Sequence, residues 1–220
     1  DKDGVERLTE SLTNNTKYKM HYPNHSKYWE VIAEEIQSFG GNTFINIFRK
    51  GGVLYKEILC DVCDKMNVNY NKKSNVSLIE QNLFMKIFED SVNKMSEEDL
   101  KIIVEELKLK TDSYTSQAVI IAMQVAIKKS GFMAYKMAAI IVNAVLKVLI
   151  GRGLSFAATG TMMRSISIFA GPIGWIFVGI WTALDIAGPA YRVTIPSVIE
   201  VAFLRLQYLN KNTEEEFNNE

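Results

Sequence analysis

Apolar positions in the first hundred residues recur every three to four places and are separated by short polar breaks. Tyr28, Ile32, Ile36 and Phe39 form one stripe, which predicts a helix ended by Gly40-Gly41, where left-handed backbone costs little. Asn42 is placed to cap a short helix, NTFINIFRK, that stops at Gly51-Gly52. From Val53, the spacing of Leu54, Ile58 and Val62 with Tyr55, Leu59 and Met66 predicts a third helix, and the polar run 67–75 reads as a loop. Ser77 with Glu80 three residues on has the form of a capping box, opening a helix whose apolar face holds Leu83, Phe84, Ile87, Phe88 and Val92. Ser96 with Asp99 repeats the pattern ahead of the acidic helix EEDLKIIVEELKLK. No stretch alternates with a period of two over the length of a strand, so strands are not expected.

The second half changes character. Residues 118–127 and 131–150 are strongly apolar helical segments broken at Lys128-Lys129-Ser130-Gly131. Lys136 and Lys147, eleven residues apart, fall on nearly the same helix face. From 165 to 184 there are twenty residues without a charge. Gly-Pro occurs at 171–172 and at 188–189, and because proline suits the first turn of a helix and glycine the stop before it, both are predicted helix boundaries. They bracket a helix of about sixteen residues, roughly 24 Å long, and Pro196 is placed to start a last helix, SVIEVAFLRLQYL. Such a segment suits the central helix of a bundle better than a transmembrane anchor. The expected fold is all-α: a multi-helix bundle in which an apolar, basic half, 113–210, packs against a polar amphipathic half, 1–112, as one co-folded unit. An acidic tail, 211–220, is expected to be disordered.

Composition narrows the function classes. Across 220 residues, 48% apolar and 23% charged side chains are ordinary for a globular protein. A formal net charge of zero offers no basic excess for a phosphate backbone, so a nucleic-acid partner is not expected. The charge is nevertheless uneven: 113–210 holds eight Lys or Arg against Asp185 and Glu200 alone. Basic residues beside apolar helices attract an anionic bilayer, at roughly 1 kcal/mol each near the surface. Lys128, Lys129, Lys136 and Lys147 are therefore candidates to face a membrane, and 131–150 with 165–184 could form a hydrophobic hairpin. Against this, Lys136, Asn143 and Lys147 interrupt the first segment, and Gly171-Pro172 cuts the second below the roughly twenty residues a span prefers. Two cysteines and no signal-peptide pattern fit an intracellular, reducing setting, cytoplasmic or peripheral at the inner face of the membrane. A start at Asp1 rather than Met reads as a trimmed fragment.

Candidate chemistry is sparse. Cys60 and Cys63 lack the further ligands of a familiar zinc spacing and read as structural, with Cys63 edging the apolar face. Pro23 between His21 and His25 argues against one helix presenting both to a metal, so surface loop positions are expected. No serine stands in a nucleophile elbow, the carboxylates of the acidic helix have the spacing of a solvated face, and GRGLSFAATG lacks the Gly-Lys-Ser/Thr of a phosphate loop. No catalytic residue, cofactor or metal is expected, and the chain is not expected to be an enzyme. Asp185 and Arg192 are charges in apolar surroundings across Gly188-Pro189, each needing a partner, and a structural ion pair is the favoured use. Trp175 and Trp181 are expected in the core. An exposed apolar patch at this block would instead mark an interface. With Tyr191, these residues form the block where an interaction or structural hot spot is expected.

Two stretches carry a resemblance. FGGNTFINIFRKGGVLYKEILCDVCDKMNVN, with YWEVIAEEIQS before it, and GPIG followed by GPAYRVTIPSVIEVAFLRL resemble the YaaW-like bacterial proteins. Phe39, Gly40, Gly41, Asn42, Tyr55 and Asp61, then Gly188, Tyr191, Arg192, Val193, Thr194, Ile195 and Pro196, sit in that family's pattern, whereas Cys60 and Cys63 do not. The family is linked to a ubiquinol-cytochrome c chaperone-like domain. The resemblance implies a chaperone-like or adaptor-like binding protein with a protein partner, and transfers no catalytic residue.

Overall fold

Helices account for the regular structure of every residue that the computed structural model describes, 12–40, 53–150, 163–184 and 190–210, and no strand occurs among them. In chain order they are α1 (Thr16–His21), a 3-10 turn (His25–Lys27), α2 (Trp29–Gly40), α3 (Tyr55–Lys65), α4 (Val76–Val92), α5 (Glu97–Glu106), α6 (Ser116–Lys129), α7 (Gly131–Ile150), α8 (Met163–Leu184) and α9 (Ala190–Leu209). The protein is all-α. Two compact units divide the chain, Asp1–Asn67 with Trp181–Val198 and Val68–Ile180 with Ile199–Glu220. The compositional step at 112/113 falls inside the second. The predicted helix at 42–50, its Gly51-Gly52 stop and the acidic tail 211–220 lie outside the described residues.

In the first unit, Tyr28 is buried just ahead of α2, its ring edge-on to Tyr18 at 5.4 Å and its hydroxyl hydrogen-bonded to His25 Nδ1. Helix α3 buries Ile58, Leu59 and Val62 of the predicted stripe, together with Cys63, with Met66 buried just past its end, whereas Leu54 precedes the helix and is exposed. The first half of α9 runs antiparallel to it: Tyr55 Oη donates to the Val198 carbonyl at 3.5 Å, and Lys65 Nζ sits 5.6 Å from the centre of the Tyr191 ring. The two blocks that carry the family resemblance thus meet here.

The second unit is arranged around α7. Every residue of α7 from Ala134 to Leu146 is buried except Lys136, because a helix apolar on all sides has no solvent face to present. Asn143 is accommodated there by donating to the Ala139 carbonyl of its own helix at 2.8 Å. Helices α4 and α6 pack on α7 and on each other. Phe169 brings α8 onto Phe88 of α4 at 5.6 Å, and Phe203 stacks the second half of α9 on Tyr135 at 5.6 Å. The predicted α4 face, Leu83, Phe84, Ile87, Phe88 and Val92, is buried in full, and each such side chain stabilises the fold by about 1.5–3 kcal/mol.

Four local expectations are corrected. Asn75, not Ser77, caps α4, accepting from Leu78 N at 2.8 Å; Glu80 is then too far along the helix to reach back, and it points inward. Pro172 does not begin a helix but lies within α8. Proline removes the donor for the Ile168 carbonyl; neighbouring Gly171 is exposed, with nothing within 4 Å of where a Cβ would stand, so that side of the helix is open. Burial of Phe169, Ile173 and Phe177 on the opposite side holds the two halves in line. Pro196 likewise lies inside α9, which starts at Ala190, with Val193, Thr194, Ile195, Val198 and Ile199 buried on either side of it. The central helix is α7 rather than the segment between the Gly-Pro pairs, because α8 buries only one face.

Polar links tie helices far apart in sequence. Glu80 is 1% exposed and pairs with Arg205 on α9, whose Nε approaches its two carboxylate oxygens at 3.2 and 3.1 Å. The Glu106 carboxylate at the end of α5 accepts from Ser165 N at 3.0 Å and from Ser165 Oγ, satisfying first-turn donors of α8. Arg205→Met removes a charged partner from a buried carboxylate and is expected to cost about 2–3 kcal/mol, the low end because the arginine is partly solvated. In urea unfolding, the double variant Glu80→Leu/Arg205→Met should recover most of that loss. Equal loss in single and double variants would mean the pair contributes only packing.

Candidate interaction surfaces

Helix α8 carries two apolar faces. One, through Ile166, Phe169, Ile173 and Phe177, is core. The other, through Arg164, Ser167, Gly171, Trp175 and Val178 at spacings of three and four, faces solvent, with Trp175 72% and Val178 53% exposed. Trp175 is therefore a surface residue and not the core residue expected. The more apolar of the two ridges is the one that is buried, and the outer ridge keeps Trp175 and Val178 in solvent. From Ser167 to Val178 that ridge carries no charge, and Trp175 and Val178 give it an exposed apolar stretch.

A second surface lies between the end of α5, the loop after it and α6. It is a groove of about 480 Å³ with Ile121, Ala122 and Val125 on its floor and Lys108, Lys110 and Lys129 among its lining residues. Lys108 has φ 51, the left-handed position after a helix, where its neighbour Leu109 N bonds back to the Val104 carbonyl at 2.9 Å. Glycine is the usual residue there, and a lysine held in that conformation carries a positive charge into the groove at some conformational cost. Sequence reading singled out Lys129 but missed Lys108 and Lys110, which belong to the otherwise acidic segment EELKLK. The signal was present in that Lys-x-Lys ending, but only folding brings it beside α6.

The remaining predicted residues are distributed. Lys128 and Lys147 are exposed, and Lys136 is half-buried with its Nζ 5.0 Å from the Phe132 ring centre. Partial burial pushes the Lys136 pKa down, and the charge of Lys108 pushes the same way. Tyr191 and Arg192 are half-buried in the first unit; burial raises the Tyr191 pKa, and Asp61 and Asp64 raise it further. Asp185, Gly188, Pro189 and the Trp181 side chain lie outside the described residues. Cys63 is buried, Cys60 is half-buried, and neither forms a disulfide. His25 is exposed and His21 partly so; no group of three or more metal-ligating side chains occurs among the described residues.

Comparison with known proteins places the chain in a family. The sequence model of the ubiquinol-cytochrome C chaperone family matches residues 24–199. A UPF0174 protein of Helicobacter pylori is 50% identical over 212 residues, 96% of this chain and 84% of that protein. The chain belongs to the UPF0174 family. Another family member from Helicobacter pylori is 40% identical over 91% of this chain and 98% of its own length. The UPF0174 protein YaaW of Escherichia coli is 28% identical over 92% of this chain and 82% of its length. No solved structure matches. The family match covers most of both described units, so the resemblance of the two sequence blocks extends to the chain as a whole.

For Lys136 the sign of the pH effect follows from the direction of its shift. Its folded pKa lies below the ordinary lysine value of 10.5, so the charged form is the costly one when folded. Lys136→Met should therefore be more stable than wild type at neutral pH in chemical unfolding, with the gap closing as pH rises toward 10.5 and the wild-type lysine discharges. Screening at this half-buried site keeps the gain below about 1 kcal/mol. A less stable variant at every pH would show that the Phe132 contact outweighs the burial cost.

Proposed function

We propose that this chain acts by binding another polypeptide, in a chaperone-like or adaptor-like manner and without catalysis, and that the exposed ridge of α8 is its contact surface. The observation that carries the proposal is the solvent-facing apolar ridge through Gly171, Trp175 and Val178 on a helix whose other face is core. Tryptophan is strongly enriched among residues that dominate binding energy, and a flat glycine beside it lets a partner approach closely. The match to the ubiquinol-cytochrome C chaperone model supports the chaperone-like character. On this proposal the protein works in the bacterial cytoplasm or peripherally at the inner face of the membrane. Trp181, Asp185, Gly188 and Pro189, with Tyr191 and Arg192, belong to the same proposed hot spot on the strength of their sequence block.

A membrane-associated role is the second reading, favoured by one specific observation. With Pro172 inside it, α8 runs for 22 residues, about 33 Å, which reaches the thickness of a bilayer core. Two helices, at Gly131–Leu149 and Met163–Ile180, are long and apolar enough to cross a membrane by length and composition. The first is the buried centre of the second unit, which favours a protein-binding role over insertion.

The variant Trp175→Ser/Val178→Ser separates these possibilities, because both positions are exposed and the melting temperature should stay within a few degrees of wild type. Wild type is expected to suppress aggregation of reduced insulin near equimolar ratio, and the variant to lose most of that suppression. Absence of suppression by wild type, together with flotation on phosphatidylglycerol vesicles that the variant loses, would replace the chaperone-like reading with the membrane one.

A further inference from the structure

We propose that the groove between α5 and α6 binds a free medium-chain fatty acid, with the acyl chain along α6 and the carboxylate among the groove's lysines. The aliphatic floor is the first ground. Ala118, Ile121, Ala122, Val125 and Ala126 fall at helical spacing on one face of α6 and line the groove. Helix α6 buries Val119, Ile120 and Met123 as its core contact, so this second apolar face is a surplus, and Ile121 and Val125 stand exposed on it. From Ala118 to Ala126 the floor runs about 12 Å, the reach of a medium acyl chain. The volume of about 480 Å³ lies within the roughly 300–1,000 Å³ usual for small-molecule sites.

Charge complementarity is the second ground. Lys108, Lys110 and Lys129 line the same groove, and Lys128 is exposed beside Lys129. A lysine lays its alkyl stem along apolar surface and carries an ammonium with three donors at the tip, so one side chain can cover an acyl chain and hold its head group. Lys108 is fixed at φ 51 while Leu109 N bonds back to the Val104 carbonyl, which keeps this charge at the groove. Its field reaches α7: the Lys136 pKa, lowered by burial, is pushed further down by Lys108. An anionic head group relieves that repulsion, and a neutral one does not. A concave groove between two helices admits a single chain, whereas a bilayer presents a plane of head groups and suits a flat face.

The test titrates the whole chain with decanoate below its micelle concentration, reading the Ile121 and Val125 methyl resonances and the heat of binding. Decanoate should shift both methyls and bind one to one. Octanoate, two methylenes shorter, should bind about tenfold more weakly, and decanol, which lacks the charge, about fivefold more weakly. Lys108→Gly/Lys110→Ser should lose about fivefold in affinity for decanoate and keep its affinity for decanol. Glycine suits φ 51 better than lysine does, so this variant does not threaten the fold. Ile121→Ser/Val125→Ser, at exposed positions, should lose about tenfold for both ligands. Decanoate that moves neither methyl, or that binds wild type and both variants alike, overturns the proposal. Equal affinity for decanoate and decanol overturns it too, since the lysines then recognise nothing. Methyls moved by phosphatidylglycerol vesicles and not by decanoate would reassign the groove to a membrane surface.

Discussion

The burial of the middle of α7, Ala134 to Leu146, is the constraint on which the second unit depends. A helix that is apolar on every side is unstable in water and must be enclosed, and enclosing it determines where α4, α6, α8 and the second half of α9 go. Two polar residues within the buried stretch show how strict this is: Asn143 turns its amide back onto its own helix, and Lys136 lies half-buried with its ammonium near Phe132, while Lys147 stands beyond it in solvent. Because several helices converge on one, each outer helix needs only a single apolar ridge. Helix α8 has two, and the surplus is what makes its outer face a candidate for binding.

Apolar packing alone leaves helices free to slide, and the polar links supply positions. Glu80 and Arg205 are 125 residues apart in the chain, and Glu106 and Ser165 are 59 apart. A carboxylate buried as fully as Glu80 is tolerated only where its partner stands, so it favours one register of α9 on α4 over its neighbours. The Glu106 carboxylate at the start of α8 plays the corresponding role for that helix, since the unpaired first-turn donors are located at one place only.

Helix type and most of the core were legible in the sequence. The α4 stripe, the Ser96 cap, the break between α6 and α7, and the burial of Cys63 beside the half-exposed Cys60 all follow from spacing and local chemistry. The family resemblance, carried by two blocks, also pointed to the UPF0174 proteins. The prolines misled because a proline at a predicted boundary and a proline tolerated in mid-helix have the same local sequence; Pro172 and Pro196 remain in helices because core contacts on both sides outweigh one lost hydrogen bond. Of the candidate site, Trp175 was singled out but placed inside, and Lys108 and Lys110 were read into the acidic helix, which ends before them at Glu106.

By itself the sequence determined an all-α chain, the buried stripe of α4, most of that of α3, and the contrast between an acidic first half and a basic, apolar second half, but not α1 or the end of α5 at Glu106. These are local or additive properties, set by periodicity and charge along the chain. Only the tertiary structure decided that Trp175 stays outside the core, which charges from separate segments line one groove, and that Glu80 faces inward to Arg205 rather than capping its own helix. Those outcomes depend on which surfaces compete for the same neighbour, and that competition is settled by the enclosure of α7 rather than by any residue's own preference.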